Sequence, residues 1–104
     1  MKDTLNNLER LQTWYHSNCN GDWEHSYGIT VTTIDNPGWS VDIDLTETDL
    51  EDREFQPLRI ERSQDDWVFI SKTSSKFQLR CGPHNLDECL KQFCDWAGVT
   101  GESK

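Results

Sequence analysis

The sequence predicts an α+β fold: a five-stranded antiparallel meander sheet with an N-terminal and a C-terminal helix packed on one of its faces. Three observations carry this prediction. Apolar residues recur at three- and four-residue steps near each end of the chain, the spacing of an amphipathic helix. Between these segments, Trp39, Val41, Ile43 and Leu45 alternate with Ser40, Asp42, Asp44 and Thr46, the pattern of a strand with one buried face. A sheet of that kind needs cover for its apolar side, and the two terminal helices are the only cover available.

Leu5, Leu8, Leu11, Trp14 and Tyr15 predict the first helix, over 4–16, with Asp3 or Thr4 as its cap. Gly21 and its polar neighbours end that pattern. "YGITVTTI", rich in β-branched residues, predicts the first strand. Asn36-Pro37-Gly38-Trp39 suits a type II turn, in which proline presets one φ and glycine accepts a positive one, so the alternating strand closes a hairpin. Leu58 and Ile60, alternating with Arg59 and Glu61, predict a third strand, and Pro57 marks its start or an edge position. "SQDD" reads as a turn and "WVFIS" as a fourth strand, whose continuous apolar run predicts cover on both faces. In the fifth, "KFQLRC", Phe77, Leu79 and Cys81 are expected inward, and Gly82-Pro83 stops it.

Asn85 with Glu88 makes a capping-box-like start for the second helix, over 86–97. Leu86, Cys89, Leu90, Phe93 and Ala97 share one face of it, and Gly98 suits its C-terminal cap. All strands fall within 27–82, and 98–104 reads as a loose tail. The expected core holds Leu8, Leu11, Val41, Ile43, Leu79, Leu90 and Phe93, with Trp14, Trp39 and Trp67 joining it and Trp96 half-buried. With no repeat, linker or low-complexity tract, residues 1–104 are expected to form one domain.

A chain of 104 residues has room for a single core. Hydrophobic residues make up only 34%, but five Trp, four Phe and two Tyr bring enough burial area to fold the chain. Acidic residues number 19 against 10 basic, a net charge of -9 that repels the phosphates of nucleic acid and anionic membrane, serves solubility and permits a basic protein partner. "MKDTLNNLERLQ" has no apolar run fit for a signal peptide, and no stretch approaches a membrane span, so a cytoplasmic location is expected. There thiols stay reduced. Cys19, Cys81, Cys89 and Cys94 contain no C-x-x-C pair and read as buried or incidental free thiols.

The stretch "NCNGDWEHSYG", 18–28, gathers most of the residue types that carry chemistry. His16, Cys19, Asp22, Glu24 and His25 match no zinc spacing such as H-E-x-x-H, so neither a metal nor any other cofactor is expected. Cys19 and His25 could form a nucleophile–base pair, which leaves a small enzyme as the alternative reading. No nucleophile elbow, phosphate loop or dinucleotide fingerprint supports it. Trp23 has no periodicity to explain it; it is either a plug that pins this loop to the sheet or an aromatic anchor at an interface. From Asp42 to Glu54 run seven acids, Asp42, Asp44, Glu47, Asp49, Glu51, Asp52 and Glu54, against Arg53 alone. They form a solvated connection or a surface for a basic partner.

"LQTWYHSNCNGDWEHSYGI", "TIDNPGWSVDIDL", "IERSQDDW" and "GPHNLDECLKQF" together resemble the immunity protein 53 family of bacterial polymorphic-toxin systems. The resemblance runs from about Leu8 to Trp96, and "GDWEHSYGI" followed by "DNPGW" is its specific part. The motif residues present are Trp14, Tyr15, Asp22, Trp23, Glu24, His25, Tyr27, Gly28, Asp35, Asn36, Pro37, Gly38 and Trp39. The resemblance implies a cytoplasmic, non-enzymatic protein that binds and neutralises a cognate toxin. A basic toxin, such as a nuclease whose own substrate is anionic, fits the charge of this chain. The residues expected to meet it are Asp22, Trp23, Glu24, His25, Asp42, Asp44, Glu47 and Asp49, with the chain a monomer or weak dimer that binds neither nucleic acid nor membrane.

Overall fold

The computed structural model describes residues 5–100. In chain order these form α1 (Asn7–Asn18), a one-turn α2 (Trp23–Ser26), β1 (Ile29–Ile34), β2 (Gly38–Asp44), β3 (Leu58–Ser63), β4 (Asp66–Lys72), β5 (Lys76–Cys81) and α3 (Leu86–Ala97). The α+β class and the antiparallel sheet between terminal helices are as the sequence predicts. The short α2 inside the polar loop is an addition.

The strand order is β1-β2-β5-β4-β3, with every neighbour antiparallel, so the sheet is not the simple meander expected. Tight turns keep β1–β2, β3–β4 and β4–β5 adjacent, as hairpins require. The connection 45–57 is too long to act as a hairpin loop. It buries Leu45 and Leu50 in the core and packs Phe55 on Phe77, with ring centroids 4.8 Å apart. Pulled in at those points, it crosses the end of the sheet and delivers β3 to the far edge, leaving the slot beside β2 to β5.

Helix α1 begins at Asn6, whose side-chain oxygen accepts the Glu9 N–H at 2.8 Å while the Glu9 carboxylate accepts the Asn6 N–H at 2.8 Å. This is a capping box. The caps expected from sequence, Asp3 and Thr4, lie outside the described residues. The buried stripe of α1 is Arg10, Leu11 and Trp14, while Leu8, expected in the core, is 55% exposed. Arg10 is the reason. Its guanidinium donates to the Val99 carbonyl (2.7 and 3.2 Å), to Asp95 Oδ1 (2.8 Å) and to Asn7 Oδ1 (2.9 Å). A buried guanidinium is tolerable only with such partners, and they turn this face of α1 toward the end of α3. Leu8 then faces away.

Leu11, Trp14, Val41, Ile43, Leu79, Leu90 and Phe93 are buried as expected, and Phe93 joins the layers by meeting Trp14 edge-on at 5.0 Å and Phe77 at 5.1 Å. Trp39 and Trp67 are only half-buried. Val68 and Ile70 take the inner face of β4, so Trp67 and Phe69 fall on the outer one. Among the described residues no helix covers that face, so the cover expected on both faces of β4 comes from side chains alone: Trp67 packs on Phe69 at 4.9 Å, and the Arg59 guanidinium lies 4.4 Å over the Phe69 ring.

Two local expectations change. Asn85 forms no side-chain cap; its Oδ1 accepts the Trp67 N–H (3.3 Å) and its Nδ2 donates to Asp66 (2.8 Å) and Glu88 (3.0 Å), tying the start of α3 to β4. Gly98 ends the helix in the left-handed conformation at φ 78°, as expected. The Asn36–Pro37 peptide is cis and Gly38 has no positive φ, so the turn is not type II. Gly38 serves close approach instead: a Cβ there would collide with the Cys81 carbonyl and sit 3.3 Å from the Trp67 ring. Gly38→Ala is therefore expected to destabilise the fold by about 1–3 kcal/mol, the usual result of overpacking. Gly28→Ala is the control, since a Cβ at Gly28 meets nothing within 4 Å and should move stability by only about 0.5 kcal/mol. Urea denaturation of both variants checks this.

Candidate partner-binding surface

Residues 19–28 owe their shape to a few backbone-directed side chains. Gly21 turns the chain at φ +88°, a conformation that favours glycine. Asn20 Oδ1 accepts the N–H groups of Asp22 and Trp23, both at 2.9 Å, and so caps α2 in place of Asp22. The Glu24 carboxylate reaches back to the N–H groups of Asn20 (3.0 Å) and Gly21 (2.8 Å). Its own N–H and those two hold its carboxyl below the usual range. Glu24 is thus occupied within the loop, whereas Asp22 and His25 are exposed.

Trp23 is the plug, not an exposed anchor. It is 3% exposed, meets Trp14 edge-on at 6.1 Å, is flanked by Tyr15 and Tyr27, and donates its indole N–H to the Thr46 carbonyl at 2.9 Å. That bond places the Asp22–Glu24 segment next to the one that carries Glu47 and Asp49.

The acids between 42 and 54 divide into unlike groups. Asp42 and Asp44 lie on the outer face of β2 and are already ion-paired, Asp42 with Arg80 at 3.0 Å and Asp44 with Lys76 at 2.5 Å. Asp44 also accepts the Gly28 N–H at 3.0 Å. Its carboxylate holds the Lys76 ammonium above its usual range. Glu47 and Asp49 are exposed, and no cation among the described residues pairs with them or with Asp22. Glu47 sits at φ 63°, and its N–H donates to Glu51 at 3.1 Å. Sequence reasoning missed the cations that shape this connection. Lys72 Nζ donates to the Glu51 carbonyl (2.9 Å) and Arg53 to the Trp96 carbonyl (2.8 Å), while the Trp96 indole donates to the Glu54 carbonyl (2.8 Å). Only the alternation of Leu45, Leu50 and Phe55 with acids hinted that the segment is anchored.

Chemistry finds little footing. The Cys19 thiol donates to the Tyr15 carbonyl at 3.4 Å, and among the described residues no hydrogen bond joins it to His25. Cys81, Cys89 and Cys94 are buried. Donation of the Cys89 S–H to Cys81, then burial, pushes the Cys89 thiol up, and burial pushes Cys94 up to about 11, so both stay protonated. Among the described residues no three His, Cys, Asp or Glu side chains are placed to share a metal ion, and no helix is long and apolar enough to cross a membrane.

No curated protein and no solved structure matches the chain. The immunity protein 53 family does, over residues 8–98, a span that holds the sheet, the polar loop, the acidic connection and α3. The chain belongs to the immunity protein 53 family.

Proposed function

We propose that this protein works in the cytoplasm of the producing cell, where it binds a cognate polymorphic toxin and neutralises it stoichiometrically, without catalysis. Membership of the immunity protein 53 family supports the toxin-binding role. The acids without a cation partner among the described residues, Asp22, Glu47 and Asp49, support a basic partner, and a nuclease would be one. Glu24, His25, Asp42 and Asp44 border them and contribute through the field of this end of the molecule. Trp23 acts beneath the surface, by holding the two acidic segments together. The small-enzyme alternative lacks support, because Cys19 and His25 are not hydrogen-bonded to one another.

The test is co-expression with the toxin domain encoded beside it. Cells should survive, and a tagged toxin domain should bring down the chain at a 1:1 ratio. Cys19→Ala with His25→Ala should protect as well as the wild type. A toxin that kills despite full expression of the chain, or protection that disappears with the double variant, overturns this function.

A further inference from the structure

The two edges of the sheet are finished differently. At β3, Pro57 precedes the strand, Arg59, Glu61 and Arg62 line it, and its register breaks between Glu61 and Ser63. Charge, proline and bulge are the devices that keep an edge from pairing with another chain. Strand β1, Ile-Thr-Val-Thr-Thr-Ile, has none of them, and its register against β2 is regular from Ile29 to Ile34.

The backbone of β1 also points the right way. The Asp44 N–H donates to the Gly28 carbonyl at 3.0 Å, which makes Gly28 and Asp44 a bonded pair. Antiparallel ladders alternate, so Thr30 and Thr32 bond to β2, while Ile29, Val31 and Thr33 turn their N–H and C=O groups to the open side. The side chain of Val31 lies on the core face opposite Val41, yet it is 46% exposed. Beside it, α1 overhangs the edge and leaves an open groove of about 330 Å³ lined by Leu11, Gln12, Tyr15, Gly28 and Ile29. Leu8, Tyr15 and Val31, the exposed large apolar residues among those described, all belong to these two elements.

We propose that β1 is the docking edge for an extended segment of the cognate toxin, which adds to the sheet as a sixth strand and seats alternate apolar side chains in the groove under α1. The inference rests on the toxin-binding function above and names the surface that performs it. Main-chain bonds would give affinity and the groove would give selectivity, as in other strand-addition complexes. A second copy of the chain is the poorer occupant: each copy carries a net charge of -9, and Asp22, Glu24 and Asp35 flank the strand. Those same acids favour a toxin segment with basic residues around its apolar ones.

Val31→Pro tests the proposal. It removes an N–H that the ladder within this chain does not use, at an edge position where proline is tolerated. The variant should keep its circular dichroism and melt within a few degrees of the wild type, while its affinity for the toxin domain in calorimetry falls at least tenfold. Wild-type affinity in folded Val31→Pro overturns the docking edge and leaves the toxin-binding function standing. Failure of the wild-type chain to bind the toxin domain overturns both. A wild-type dimer that Val31→Pro splits, with toxin binding intact, assigns β1 to a second copy and also overturns the proposal. Should Val31→Pro not fold, Val31→Lys decides: it keeps the N–H but puts a charge on the core-side face of the docking edge. A tenfold loss of affinity is expected, and wild-type affinity overturns the proposal.

Discussion

Replacing Trp23 by alanine is expected to destabilise the fold by about 3–5 kcal/mol, the range for emptying a large aromatic site in a core. The indole is 3% exposed and edge-on to Trp14, so its removal opens space that α1 and the loop 19–28 cannot refill. It also strands the Thr46 carbonyl, which accepts the indole N–H at 2.9 Å. Trp23→Phe separates the two effects. It keeps much of the packing and loses the hydrogen bond, so about 1–3 kcal/mol should go. For a chain of this length each kcal/mol lowers Tm by roughly 4–8 °C, so Trp23→Ala should melt well over 10 °C below the wild type. Toxin affinity, measured below the melting transition, should change far less than Tm. The reverse pattern, an unchanged Tm with binding lost, would make Trp23 an interface anchor and would contradict its burial.

Trp23 also marks the limit of what the sequence could say. Its lack of periodicity left plug and anchor both open, because burial in a loop follows from tertiary contacts with Trp14 and Thr46 that no local pattern encodes. The strands were legible because alternation at 39–45 reports local burial directly and β-branching at 29–34 reports the preference for an extended backbone. The strand order was not. It depends on where Leu45, Leu50 and Phe55 pull the connection 45–57, a segment whose acids disguised its anchors. The stripe of α1 was misjudged at Leu8 because periodicity counts apolar residues, and the residue that holds the helix to α3 is Arg10. Of the candidate site, the acidic character was visible. Which acids are free was not, since Asp42 and Asp44 find Arg80 and Lys76 only after β5 inserts beside β2.

That pairing divides the acidic residues into two experiments with opposite outcomes. Asp42→Lys with Asp44→Lys would set ammonium groups against Arg80 and Lys76 and take the acceptor from the Gly28 N–H. Half-exposed pairs are individually weak, ~0.2–1 kcal/mol, but two reversed pairs and a lost acceptor should together remove about 1–3 kcal/mol of stability. Asp22→Lys, Glu47→Lys and Asp49→Lys touch no ion pair among the described residues, and the fold should lose no more than about 1 kcal/mol, as for other surface changes. Their effect should fall on association. Charges at an interface act by steering, which is strongest at low ionic strength, so this triple variant should bind the toxin domain at least ~10-fold more slowly in dilute buffer. Wild-type association should slow as salt is added and the screening length shortens, whereas the variant's should respond weakly, so the two converge near ~1 M salt. Stopped-flow rates across ionic strength read both quantities. Equal rates at every salt concentration, with the triple variant still protecting cells, would reduce Asp22, Glu47 and Asp49 to a solubility feature and leave the recognition to the main-chain groups and apolar groove at β1.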